Sequence, residues 1–151
     1  MTRISNSIEI RRPIEEVFDF ITTPANWPRW HPASVSVGGN ADHSLLAGEQ
    51  VSEKFSIAGY RGLATWRVRE RSVSRRWVID GTGEKGGAAT IIYTLTENPN
   101  GTSFQRELVY TVPNTLLHLL DWFFLRRRMR ADSAEALRRL KQLLESGHGI
   151  E

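Results

Sequence analysis

Residues 11–32 read RRPIEEVFDFITTPANWPRWHP. A helix signal opens the stretch. Pro13 suits a first helical position, because its missing N–H would find no intrahelical partner, and Ile14, Val17, Phe18 and Ile21 recur at helical spacing. Thr22, Thr23 and Pro24 end that helix. The second half, residues 23–32, packs two tryptophans, three prolines and a histidine into ten positions. Its prolines restrict the backbone and bias the residues before them away from helix. A stiff helical lid is expected, with Trp27 as a packing anchor and Trp30 and His31 turned toward a ligand.

Working outward, residues 3–11 alternate apolar and polar, with Ile4, Ile8 and Ile10 in phase, which predicts a first strand. Residues 33–38 predict a second, closed by Gly38-Gly39-Asn40. A period of two then dominates. Val51, Phe55 and Ile57 share one face; Ala64, Trp66 and Val68 share the next; Trp77 and Ile79, then Ile91, Tyr93 and Leu95, then Phe104, Leu108, Tyr110 and Val112 mark three more. Connections this short cannot hold a parallel crossover, so the strands pair antiparallel. Asn100-Gly101 signals a tight hairpin; Asn100-Gly101-Thr102 is also a formal glycosylation sequon, read here as turn chemistry. From Asn114 or Thr115, the candidate caps, to about Ser146 the period returns to helical. Trp122, Leu125, Met129, Ala136, Leu140 and Leu143 form the stripe expected to lie on the sheet.

The chain has 151 residues and no cysteine, which excludes disulfides, thiolate nucleophiles and sulfur-based zinc sites and favours a cytoplasmic location. Its amino terminus has neither a secretory nor an anchor pattern. A formal charge of +3 is small. The basic cluster Arg126, Arg127, Arg128 and Arg130 lacks any groove-reading motif around it, so no nucleic-acid partner is expected. Gly81-Thr82-Gly83-Glu84-Lys85-Gly86 satisfies a dinucleotide fingerprint literally, yet a strand pattern follows it where a phosphate site needs a helix N-terminus. It is read as a hairpin, and no cofactor or metal is expected.

These pieces together resemble the START-like (SRPBCC) superfamily with the helix-grip fold, in its polyketide cyclase/dehydrase and lipid-transport-like branch. The resemblance rests on residues 12–18, 24–30 and 137–141 in that order. It implies an α+β fold: a curved antiparallel sheet of six to seven strands wrapped around a long C-terminal helix, with two short helices between strands 1 and 2. One such domain would span residues 1–146, with 147–151 a frayed tail. It also implies a cavity for a hydrophobic small molecule such as a lipid, a sterol or an aromatic polyketide.

Polar residues on apolar faces are the candidate site. Glu53 falls on the face of Val51 and Phe55, and Arg106 on that of Phe104 and Leu108. Two charges facing a core are costly, so they pair with each other, line a hydrated cavity, or reveal a bulge that shifts the register. Arg106 is a candidate to hold a ligand carboxylate or phenolate, or to stabilise an enolate. Tyr60, Trp66, Trp77, Tyr93, Phe104 and Tyr110 are candidate wall residues, joined by Trp30, His31, Phe55 and Trp122. His31, and the pair His118 and Asp121 three residues apart on the closing helix, are candidates for acid/base work. Three functions follow: a binding or carrier domain, a cyclase or dehydratase acting in the same cavity, and an interaction module with a collapsed core. Residues 116–125 are apolar on nearly all sides, which leaves a surplus face for the lid, a homodimer or a membrane surface.

Overall fold

The computed structural model describes residues 2–112, 114 and 122–147. Seven strands form one antiparallel sheet in the order β1-β7-β6-β5-β4-β3-β2. They are β1 (Thr2–Ile10), β2 (Ser34–Gly38), β3 (Gln50–Ile57), β4 (Tyr60–Ser72), β5 (Arg76–Gly83), β6 (Ala88–Asn98) and β7 (Gly101–Thr111). Helix α1 (Ile14–Ile21), a 3₁₀ turn (Pro24–Asn26) and α2 (Trp27–Trp30) lie between β1 and β2, and α3 (Trp122–Glu145) closes the chain. The chain connects β1 to β2 across the whole width of the sheet, and every later strand neighbours its predecessor. That order is the helix-grip topology implied by the resemblance.

The expected first helix exists, although Pro13 stands just before it as its N-cap, with ψ 144°. Its carbonyl accepts from the Glu16 and Val17 amides at 3.1 Å, so the helix starts one residue later than the sequence suggested. The lid is more helical than its prolines imply. Trp27 precedes a proline and yet holds right-handed helical angles (φ −54°, ψ −45°). Pro24 and Pro28 fall in the opening turns of their short segments, where a missing N–H costs nothing.

The β6–β7 hairpin forms, but not with Asn100 at positive φ. Only Gly101 departs, at φ +147°. A Cβ there would run into the Ile10 carbonyl oxygen and stand 2.9 Å from the Arg11 and Arg12 backbone, and would collide with both. Gly101 is required for the close approach to the end of β1 rather than for the turn itself.

The core is built on a ladder of rings. Trp77, Tyr93 and Phe104 occupy successive strands, with Trp77 and Tyr93 stacked at 5.3 Å and Tyr93 edge-on to Phe104 at 5.1 Å. Trp27 meets Trp77 edge-on at 6.3 Å. Both buried indoles find carbonyls: Trp27 Nε1 donates to Ile21 O and Trp77 Nε1 to Leu45 O, each at 3.2 Å. Trp27 is the anchor that the sequence suggested.

Helix α3 buries Leu125, Asp132, Ser133, Ala136, Leu137, Leu140 and Leu144. The stripe is thus rotated from the expected one: Leu143 is only partly buried and two polar residues join it. Its far end is pinned to β1, where Lys141 Nζ donates to the Glu9 carbonyl at 2.5 Å and the Arg11 amide donates to Glu145 at 2.9 Å. No described helix is long and apolar enough to cross a membrane. Thr115, His118, Asp121 and the apolar residues 116–121 lie outside the described residues.

Candidate functional site

A cavity of about 420 Å³ opens between the concave face of the sheet, the α2 lid and the middle of α3. That volume falls in the range of small-molecule sites. Strand β3 supplies Glu53 and Phe55, β4 supplies Tyr60 and Trp66, and β6 and β7 supply Tyr93, Arg106 and Tyr110; Trp30 and His31 enter from the lid. Nine of the twelve candidate residues therefore meet at one space. Trp77 and Phe104 do not: both are 0% exposed inside the ring ladder, one layer behind the wall. They share the inward face with the wall residues, but Trp77 is covered by Trp27 of the lid and Phe104 packs edge-on against Tyr93. Trp122 packs beside Tyr110 at 6.4 Å without reaching the cavity.

The register decides the two charged positions. Glu53 pairs with Ala64 and Arg106 with Tyr93, and neither strand shifts register there; the irregularities fall in β2 and β4. Glu53 and Arg106 accordingly face the cavity. They do not form an ion pair with each other: Glu53 Oε1 accepts from Trp66 Nε1 at 3.0 Å, while Arg106 Nη1 donates to Ser133 Oγ at 3.4 Å. Burial pushes the Glu53 carboxyl above the usual range, against the pull of its hydrogen bonds and of Arg106. Burial likewise pushes the Tyr93 hydroxyl up to about 12, so it stays protonated.

His31 has a defined protonation pattern. The Ala33 amide donates to its Nδ1 at 3.1 Å. That ring nitrogen must therefore carry a lone pair, and the proton of the neutral ring sits on Nε2. Burial, reinforced by the charges of Arg106 and Arg139, holds the pKa well below 6.5. His31 is a neutral N–H donor at neutral pH.

Several wall features escaped the sequence. Ser34, Met129, Asp132 and Ser133 also line the cavity. Asp132 sits 3.3 Å from Arg128, and burial raises its pKa. Two adjacent polar residues on the apolar stripe of α3, three and four residues on from Met129, were the available signal. Gly62 and Gly81 matter by absence of a side chain: a Cβ at either would stand 2.5 Å from the Phe55 or Trp66 ring. They leave the room in which those two rings lie flat against the sheet. The GTGEKG segment is the β5–β6 hairpin, as its context indicated, and it forms part of the cavity rim.

Beyond the cavity, Phe123 and Phe124 at the start of α3 are 76% and 52% exposed, whereas Leu125 is buried and lines the cavity. Among the described residues, no group of three His, Asp or Glu is placed to hold a metal ion.

Residues 1–145 match the family model described as polyketide cyclase / dehydrase and lipid transport. The chain belongs to this family. Among curated proteins, Penitrem biosynthesis cluster 1 protein I of Penicillium ochrochloron is 32% identical over 65 residues, and the match spans 42% of each chain. Solved structures share the fold across nearly the whole length. Protein CV1439 of Chromobacterium violaceum superimposes with a TM-score of 0.70 at 16% identity, covering 96% of this chain and 99% of that one. DynU16, a protein of the dynemicin biosynthetic locus, gives a TM-score of 0.68 at 15% identity, covering 96% of this chain and 48% of its own. In this member of the family, then, the shared fold encloses a cavity walled by aromatic rings, with Glu53, Arg106 and His31 on its surface.

Proposed function

We propose that the protein binds or carries a small molecule with a hydrophobic body in the cavity between the sheet and α3. One observation carries this reading: a cavity of about 420 Å³ remains open inside a domain that could have filled it, lined mainly by rings and aliphatic side chains with a few polar groups. An interaction module with a collapsed core would need no such space. Membership of a family described by polyketide cyclases and lipid transport, and partial likeness to proteins of biosynthetic clusters, support a lipid, sterol or polyketide-like ligand. The cysteine-free composition supports a cytoplasmic setting.

The alternative is a cyclase or dehydratase acting in the same space. It is favoured by a half-buried Glu53 whose proton is retained by desolvation to higher pH than usual, against the pull of the cation Arg106, in a cavity that the N–H donor His31 also lines. In its carboxylate form such a group can take the proton α to a carbonyl, with Arg106 and His31 stabilising the enolate oxygen, and then return that proton to the leaving hydroxyl as water departs.

The test is uptake of two fluorescent probes with one aromatic body, 1-pyrenebutyrate and 1-pyrenebutyramide, by the parent protein and by Ala64→Trp, which fills the cavity from β4. One molecule of probe per chain in the parent and none in a folded Ala64→Trp variant is the expected result. Binding that survives the filled cavity would move the site elsewhere, and no uptake of either probe would contradict the reading. Catalysis is separated from carriage by Glu53→Gln, which leaves uptake intact and stops turnover only in the enzyme.

A further inference from the structure

Arg106 is a buried cation with no direct ion pair, its Glu53 neighbour in the cavity acting on it only at a distance. It is 6% exposed, and no carboxylate lies within 4.0 Å of it among the described residues. Its Nε–H lacks a hydrogen-bond partner, and its other bonds go to neutral hydroxyls: Nη1 donates to Ser133 Oγ at 3.4 Å, and the guanidinium also hydrogen-bonds the Tyr93 hydroxyl. A guanidinium taken out of water is expensive unless a charge and a full set of acceptors replace the water. The carboxyl groups of the inner wall are engaged elsewhere, Glu53 with Trp66 at 3.0 Å and Asp132 with Arg128 at 3.3 Å.

The remaining nitrogen groups of the wall are donors. Trp30 Nε1 is buried without a partner among the described residues. His31 offers only its Nε2–H, because Nδ1 already accepts from Ala33. At the rim stand the exposed cations Lys54, Arg61 and Lys85 against the single acid Glu84. A basic mouth attracts anions and raises their local concentration.

We propose that the cavity selects ligands whose hydrophobic body ends in a delocalised oxyanion, a carboxylate or an enolate, and that Arg106 is the residue that recognises it. The proposal rests on the cavity being a ligand site. The aromatic mouth of Phe55, Tyr60 and Trp66 takes the body, and the planar fork of Arg106 pairs with the two charge-sharing oxygens.

The two pyrene probes differ only in whether their head is a carboxylate or an amide, so their affinity ratio reads the head-group preference. The parent is expected to bind 1-pyrenebutyrate at least tenfold more tightly than 1-pyrenebutyramide, the ratio that about 1.4 kcal/mol confers. Arg106→Gln should equalise the two while leaving amide binding unchanged, and Arg106→Lys should keep part of the preference. Glu53→Gln removes the wall's own competing charge and should widen it. Arg106→Met, folded by circular dichroism, should melt at a higher temperature than the unliganded parent, because an uncompensated buried charge has gone.

Equal affinities in the parent, or a preference that survives Arg106→Gln, would overturn the proposal and leave the cavity reading standing. Loss of both probes in Arg106→Gln with a lowered melting temperature would show Arg106 to be a structural prop, which also overturns it. If neither probe enters the parent, the cavity reading itself fails.

Discussion

The Ala33 amide fixes more than the orientation of His31: it makes a protonated ring lose a hydrogen bond as well as gain a buried charge. The folded-state pKa is depressed, so below about 6.5, the ordinary value, the unfolded chain binds the proton that the folded chain refuses. Stability therefore falls as pH drops through that window and is restored above it. His31→Asn keeps a side-chain acceptor near the Ala33 amide but does not titrate. Urea midpoints at pH 7.5 and 5.5 should differ less in His31→Asn than in the parent; an unchanged difference would show that His31 is already charged in the folded protein. Glu53 has the opposite sign. Its raised pKa makes the folded state hold a proton longer than the unfolded one, so at pH values above its unfolded-state pKa its ionisation weighs against folding. Glu53→Gln should raise the urea midpoint at pH 7.5.

Within the elements, one face of each strand carries both core and wall, and position along the strand separates the two. On β5 and β7, Trp77 and Phe104 are fully buried against other rings; on β3, Phe55 edges open space. Trp77→Ala should cost about 3–5 kcal/mol, the usual range for a large buried ring. Phe55→Ala should cost clearly less and enlarge the cavity, measured by chemical denaturation and by probe affinity. Gly81→Ala drives a Cβ to 2.5 Å from the Trp66 ring, which cannot turn without leaving Glu53. It should destabilise by about 1–3 kcal/mol, as overpacking does, and weaken probe binding too. The strand faces were legible because a half-buried sheet imposes a period of two, and Glu53 and Arg106 stood out against it. The division of that face into core and wall was not legible, since it depends on where α2 and α3 come to rest. The polar pair Asp132 and Ser133 sat inside a helical stripe whose phase depends on curvature of the sheet, so the expected stripe missed them.

At the scale of the whole molecule, the sheet is longer and more curved than one helix can cover, and the uncovered concave middle is the cavity. The order of strands, lid and closing helix could be read from local periods and short connections. The ligand could not, because the same scaffold holds different molecules by changing a few wall residues. A polar cluster of Arg106, His31 and Glu53 inside an aromatic wall is what distinguishes this cavity from plain core. Native mass spectrometry of the freshly purified protein, with and without added 1-pyrenebutyrate, tests that distinction most directly. The expected spectrum shows one small-molecule adduct per chain, either carried through purification and released by denaturation or formed with the added probe. A bare chain mass in both spectra would contradict the account.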